Sequence, residues 1–360
     1  MQPHLSGWGF FMKKPVPLLK KEKLKSLYLD LIKGYSTCAK TQSFDQFYVR
    51  HLDMTSSTEI DSEYQKNYEK AKKQGLPTEE EQVEYLNKEK LWTKEEESEL
   101  QNQQSLLEGL KSSKSKVFLQ SQIDYFREEI EKEEEKLNKM LSTKAEYMGF
   151  TAEAYANKKI NEFYIYLTVY KDKKFEERFF SEEEFEFINF EKFSELVVSY
   201  NSTTKYFNPT NLKRVSLSTF FLNYFYLCDD NPQIFFGKPV IDLTYHQVEL
   251  FGYARHFKHM LSEMKATPPS EYYDDPDKLM EFVEAGKNAE KMIEKAEKND
   301  KAHGAMSVVG ATKEDLRRMG LTPGGGYEEV SGTSLSKEAA KKDGSLDMED
   351  LMKIHEKGHL

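Results

Sequence analysis

Two histidines and a glutamate near the end of the sequence match a pattern that zinc hydrolases use. His355, Glu356 and His359 satisfy H-E-x-x-H. On a helix this spacing places two imidazoles one turn apart, beside a carboxylate that can act as general base. Gly358 disfavours a regular helix here, and no third ligand follows His359 in the sequence. We therefore predict neither catalysis nor metal binding at these residues.

Three further histidines fall on one predicted helix. His256 and His259 share a helical face, and His246 lies earlier on the same helix. A zinc site needs three or four protein ligands, and neither Cys38 nor Cys228 is placed beside these histidines by spacing. We expect the three side chains to form polar edges of a core helix.

Motifs for phosphate binding and for nucleophilic catalysis do not occur in the sequence. Residues 304–313 (GAMSVVGATK) carry five residues between two glycines and lack the adjacent Gly-Lys-Ser/Thr of a P-loop. The G-x-S-x-G pattern of serine hydrolases is absent. The sequence predicts no catalytic, cofactor-binding or metal-binding residue, and hence a protein that is not an enzyme.

The composition limits the classes of partner. The chain of 360 residues has 52 basic and 62 acidic residues, a net charge of -10, and this balance argues against nucleic acid as a partner. No apolar run approaches the ~20 residues that a membrane span needs. Two cysteines cannot form a disulfide framework, and no signal peptide is recognisable at the start. We expect a cytoplasmic protein that binds neither nucleic acid nor membrane.

The apolar periodicity predicts a mainly α fold. Only 38% of the residues are hydrophobic, yet 21 Tyr and 24 Phe are concentrated between Phe150 and Phe257, which indicates one real core with polar extensions. The predicted segments are an N-terminal aromatic arm and helix (1–58), a charged helical arm (59–148), an aromatic-rich helical bundle (149–266), and a linker, amphipathic helix and poorly ordered tail (267–360).

The charged arm has helix-start signals and a thin apolar stripe. Thr78 followed by Glu81 is typical of a capping box, and Thr93 opens a similar sequence. Ile123, Ile130 and Leu137 are spaced by seven residues, as in a helical hairpin or a coiled coil that could self-associate. A long surface helix lying on its own domain is the alternative.

The bundle is predicted to contain about five helices. Thr151 and Ser181 are predicted N-caps, and Gly34 is predicted to end a helix that precedes the bundle. Residues 217–228 (LSTFFLNYFYLC) are aromatic at most positions, so we expect a core helix that is buried on nearly every face.

Partner binding is predicted at both ends of the chain. Trp8, Phe10 and Phe11 lie in a short arm and would be unfavourable in water, so we expect them to dock on this protein or on a partner. The polar tail has too few apolar residues to fold alone. It is expected to become helical on a partner surface around three residues: Leu346, Leu351 and Ile354.

Short segments of the sequence resemble tail-region proteins of tailed bacteriophages. These segments are 151–156 (TAEAYA), 235–239 (FFGKP) and 243–247 (LTYHQ), together with 275–279 (DPDKL) and 310–316 (GATKEDL) in the polar tail. The resemblance implies a mostly helical assembly chaperone or minor structural component of a tail or baseplate, with phage tail proteins as partners. It implies no catalytic residue. An intracellular coiled-coil adaptor or scaffold is the alternative function.

Overall fold

A computed structural model of the chain describes residues 18–264, 266–297 and 315. The described residues are mainly helical, which confirms the predicted fold class. The helices are α1 (Lys21–Lys33), α2 (Ser56–Lys73), α3 (Glu79–Lys88), α4 (Lys94–Lys114), α5 (Gln120–Met148), α6 (Ala152–Thr168), α7 (Glu182–Glu186), α8 (Phe190–Thr204), α9 (Pro209–Ser216), α10 (Thr219–Phe225), α11 (Pro232–Phe236), α12 (Tyr245–Ser262) and α13 (Pro276–Glu297). The strands are β1 (Tyr35–Cys38), β2 (Phe47–Arg50) and β3 (Val169–Tyr170).

The predicted helix ends are confirmed where the cap chemistry is strong. Thr78 and Glu81 form a reciprocal capping box, in which the Glu81 amide donates to Thr78 Oγ1 over 3.1 Å. Ser181 begins α7 in the same way, and the Thr151 side chain caps α6. Gly34 ends α1 with a φ of 77°, a left-handed conformation that glycine adopts without strain.

A small antiparallel sheet was not expected from the sequence. Its strand order is β1-β2-β3, with Cys38 opposite Phe47 and Val49 opposite Val169. Phe47, Val49 and Cys38 turn their side chains into a core that α8 covers with Leu196. The strands are too short for a period-two pattern to stand out in the sequence.

The largest apolar cluster joins the first described helix to the later bundle. Leu24, Leu27 and Leu31 of α1 pack in one cluster with Phe221 and Phe225 of α10. α1 is therefore amphipathic, and its apolar face contributes to the same core as the aromatic helix.

The expectation that α10 is buried on nearly every face is wrong. Phe221 and Phe225, one turn apart, are fully buried, whereas Tyr224 is 64% and Leu227 is 80% exposed. The sequence could not show which face of the helix is buried, because aromatic residues occupy both the buried and the exposed face.

The described residues form two compact units. One unit contains 18–102 and 136–259, and the other contains 103–135, 260–264, 266–297 and 315. α2, which was assigned to the charged arm, packs on α6 through Ile60 and Tyr164 and so belongs with the bundle. The charge of its outer face had suggested a separate arm.

α4 and α5 are antiparallel neighbours, as expected for a helical hairpin. In the first unit Lys144 pairs with Glu97 at 2.7 Å. In the second unit Gln103 Nε2 donates to Glu133 Oε2 over 2.6 Å. These contacts hold two helices of the same chain together, and self-association through them stays a prediction.

The second unit also contains α13, which had been predicted as part of the tail. Leu279 and Phe282 are buried, and Glu281 forms ion pairs with Lys114 and Arg127. This helix is the amphipathic helix that the sequence predicted in the C-terminal part of the chain. Its apolar residues are few, but Val283 is buried as well.

Candidate functional site

The partner-binding residues predicted from the sequence lie outside the described part of the chain, and so does the H-E-x-x-H pattern. Their roles therefore stay predictions. The residues concerned are Trp8, Phe10, Phe11, Leu346, Leu351, Ile354, His355, Glu356 and His359.

The described ranges were compared with the requirements of metal sites and membrane spans. Within 18–264, 266–297 and 315, no group of three or more His, Cys, Asp or Glu side chains is arranged to hold a metal ion. Over the same residues no helix combines the length and apolar character that crossing a membrane requires. His256 and His259 are both exposed on α12.

A serine and a histidine meet at the end of the small sheet. His51 follows β2, and its backbone amide donates to the Gly34 carbonyl over 2.8 Å, which extends the pairing with β1. This register brings His51 Nε2 to 3.0 Å from the hydroxyl oxygen of Ser36. A hydrogen-bonded Ser–His pair is the first element of a nucleophile and its base.

A second histidine lies against the first, although 194 residues of sequence intervene. The Tyr245 amide donates to the Leu52 carbonyl over 2.9 Å and fixes the start of α12 beside the end of β2. The rings of His51 and His246 are then 5.4 Å apart, centroid to centroid, and Phe207 packs against both. The sequence gives no local signal for this pairing.

Burial controls the protonation of the two histidines. It lowers the pKa of His51 well below the ordinary value, and repulsion from the protonated form of His246 and from Lys238 acts in the same direction. Burial also lowers the pKa of His246 to about 4. Both rings are therefore neutral at pH 7, and within the described residues Nδ1 of each is buried without a hydrogen-bond partner.

The geometry of this cluster does not match a working catalytic triad. A triad histidine is oriented by a carboxylate at its second nitrogen. Asp53 instead pairs with Arg50 at 2.5 Å and accepts hydrogen bonds from Thr55 and Ser56. Ser36 is only 1% exposed, so a substrate cannot contact its hydroxyl in this conformation.

A pair of exposed phenylalanines lies where α7 meets α8. Phe187 and Phe190 are each 83% exposed, the highest values among the large apolar residues of the described chain. Phe185 and Phe193 are half-buried with ring centroids 6.0 Å apart, and they attach both helices to the core beneath. We call Phe187 and Phe190 the Phe187–Phe190 surface.

The backbone around this surface is held by two helix caps. Ser181 forms a capping box with Glu184 at the start of α7. Asn189 Oδ1 accepts the Lys192 amide over 2.8 Å at the start of α8. Because Asn189 lies between the two phenylalanines, the cap holds the backbone that connects them.

Acidic residues precede and follow Phe187 and Phe190 in the sequence. One basic residue, Lys192, occurs among them. The exposed acids are Glu182, Glu183, Glu184, Glu186 and Glu191. The sequence had indicated these glutamates as helix-start residues, and it could not tell which phenylalanines face outward because Asn189 interrupts the helical period.

A second group of exposed apolar residues lies on the outer side of the largest cluster. We call it the α10–α11 surface and define it as Tyr224, Tyr226, Leu227 and Ile234. The inward residues of the same elements, Phe225 and Phe235, pack against each other and against α12.

Comparison of the chain with protein-family models, with curated proteins and with solved structures gives no match. The functional interpretation therefore depends on the geometry and chemistry of the residues themselves.

Proposed function

We propose that this chain is a non-enzymatic protein-binding factor whose partner docks on the Phe187–Phe190 surface. The observation that carries the proposal is the 83% exposure of both rings on a backbone fixed by two helix caps. Rigid exposed aromatic side chains are typical anchors of protein interfaces, because they bury a large area at small entropic cost.

The charges around the surface define the chemistry of the partner. The exposed glutamates that flank this surface in the sequence repel acidic surfaces and attract Lys and Arg, which steers association and selects the partner. The partner that fits is a basic amphipathic protein segment, whose apolar side chains contact Phe187 and Phe190 while its cations face the glutamates.

The resemblance to tail-region proteins suggests the particular role. In this role the chain acts as an assembly chaperone or minor structural component of a phage tail or baseplate, in the host cytoplasm or in the virion. The antiparallel pair α4 and α5 is compatible with the alternative, an intracellular adaptor or scaffold. Both roles use the same surface and differ in the identity of the partner.

A co-purification experiment with matched variants tests the proposal. The tagged full chain, the double variant Phe187→Ser/Phe190→Ser and the control Tyr224→Ser are each co-expressed with candidate tail structural proteins. We expect one partner to co-purify with the wild type and the control but not with the double variant, and to elute at raised ionic strength. Equal recovery by all three proteins would contradict the proposed surface.

A further inference from the structure

The first described residues of the chain lie at the apolar cluster that α1 shares with α10. Leu19 is buried in that cluster with Phe221 and Phe225. Its amide donates to Asn211 Oδ1 over 3.2 Å, and its carbonyl accepts from Arg214 Nη1 over 2.7 Å. The N-terminal segment, residues 1–17, is thus attached at a fixed point beside α9 and α10.

The outer side of the same cluster is apolar and exposed. Tyr224, Leu227 and Ile234 belong to the α10–α11 surface, and Leu18, the residue that follows the N-terminal segment, is exposed as well. Exposed apolar residues are common singly, but a group on adjacent elements favours an occupant.

The N-terminal segment has the composition of such an occupant. It contains Trp8, Phe10 and Phe11, followed by Lys13 and Lys14, and it has no acidic residue. The acidic Asp229 is exposed two residues after Leu227. The segment therefore matches the surface in apolar character, and Asp229 offers an acidic partner to its lysines beside Lys258, whose Nζ lies 5.9 Å from the centroid of the Tyr226 ring.

The connecting chain is long enough for this contact. Trp8 and Leu19 are eleven positions apart in the sequence, and an extended chain spans at most ~40 Å over that length. Pro15 and Pro17 favour extended backbone next to the attachment point. An intramolecular partner also acts at a high effective concentration, which favours this occupant over a second copy.

We propose that Trp8, Phe10 and Phe11 bind the α10–α11 surface of their own chain, with Lys13 and Lys14 beside Asp229. The segment covers the exposed face of α10 and shields it from solvent. This contact is independent of the Phe187–Phe190 surface and of the partner bound there.

Tryptophan fluorescence reports the contact directly, because the chain has two Trp residues and the other one, Trp92, is buried. In a Trp92→Phe protein the emission comes from Trp8 alone. We expect a blue-shifted maximum and several-fold weaker quenching by acrylamide than in the free peptide of residues 1–17. Equal quenching in the protein and in the peptide would overturn the proposal.

Two double variants in this background locate the contact. Leu227→Ser/Ile234→Ser is expected to raise the quenching of Trp8 to the level of the peptide. The matched control Phe187→Ser/Phe190→Ser is expected to leave it unchanged. The proposed surface is contradicted if the first pair leaves the quenching of Trp8 unchanged, or if both pairs change it equally. It is also contradicted if the quenching depends on protein concentration, because that dependence indicates binding to a second copy.

A fluorine measurement keeps the test available if Trp92→Phe does not fold. The full wild-type chain is labelled with 5-fluorotryptophan, and Trp8→Phe identifies the ¹⁹F resonance of Trp8. We expect the Trp8 resonance to move to the position seen in the free peptide when Leu227 and Ile234 are replaced by Ser. A resonance already at that position in the wild-type chain overturns the proposal.

Discussion

Phe187 and Phe190 lie on either side of Asn189, the residue that caps α8, and both rings face solvent. The caps at the N-termini of α7 and α8 hold the backbone around the two residues in place. The half-buried Phe185 and Phe193 attach this backbone to the core. The exposed rings are therefore presented by a rigid scaffold. Such preorganisation lowers the entropy lost when a partner binds.

The burial pattern of α10 predicts a contrast between neighbouring residues of the helix. Phe221→Ala or Phe225→Ala is expected to lower the free energy of unfolding by about 3–5 kcal/mol, because each empties a large core site. Asn223→Ala, at an exposed position of the same helix, is expected to change it by less than about 1 kcal/mol. Urea unfolding followed by circular dichroism measures both, and similar losses at all three positions would be inconsistent with this orientation of α10.

Gln247 is expected to stabilise two helix ends at once. Its side-chain oxygen accepts the Thr244 amide over 3.1 Å at the start of α12, and its amide donates to the Leu31 carbonyl over 2.8 Å at the end of α1. Gln247→Ala removes both hydrogen bonds and leaves the buried Thr244 amide without its side-chain acceptor, so we expect a loss of about 2–4 kcal/mol in unfolding free energy. The exposed control Gln65→Ala is expected to stay within about 0.5 kcal/mol. Equal effects of the two substitutions would refute the double-cap role.

The two buried histidines predict a loss of stability in mild acid. In the unfolded chain each titrates near a pKa of about 6.5, whereas in the folded chain the pKa is lowered, to about 4 for His246. Below pH 6.5 the unfolded chain thus binds more protons. The stabilisation is fully present above that pH and is lost as the pH falls towards 4, with a slope of about 1.4 kcal/mol per pH unit for each histidine.

Variants separate this contribution from that of the carboxylates. We expect His51→Gln and His246→Gln each to reduce the dependence of unfolding free energy on pH between 6.5 and 5, whatever their effect at pH 7. Gln65→Ala, at an exposed position without a titrating group, serves as the control and is expected to keep the wild-type slope. Unchanged slopes in all three variants would show that the buried rings do not titrate as expected.

The shared core predicts that the bundle does not fold as a short fragment. Residues 150–264 alone lack Leu24, Leu31, Phe47 and Val49, which fill the two main clusters. We expect this fragment to show no cooperative thermal transition by circular dichroism, whereas a fragment of residues 18–264 does. A cooperative transition of the shorter fragment would mean that the first two helices and the sheet are dispensable.

Local chemistry made part of this fold predictable. The pairs Thr78–Glu81 and Ser181–Glu184 cap helices because their side chains satisfy amides only three residues away, and such signals are visible in sequence. Gly34 ends α1 for an equally local reason. Helix ends were therefore the most accurate part of the sequence interpretation.

Contacts between distant residues were not predictable in this way. The pairing of His51 with His246 depends on the register of a short sheet, and Gln247 reaches a carbonyl 216 residues away in sequence. The exposure of Phe187 and Phe190 was not predictable for another reason, since apolar residues also occupy the inward positions around them. Periodicity identifies a buried face only where the opposite face is polar.

Site-specific photo-crosslinking tests the central claim, that a basic amphipathic partner docks on Phe187 and Phe190. A benzophenone amino acid replaces Phe187 in the full chain, and a control protein carries it in place of Tyr226 on the α10–α11 surface. The account predicts that crosslinks from position 187 map to one Lys- and Arg-rich segment of a single protein and weaken at high salt, while position 226 gives no such product. Crosslinks from position 187 that scatter over unrelated proteins, or that match those from position 226, would contradict it.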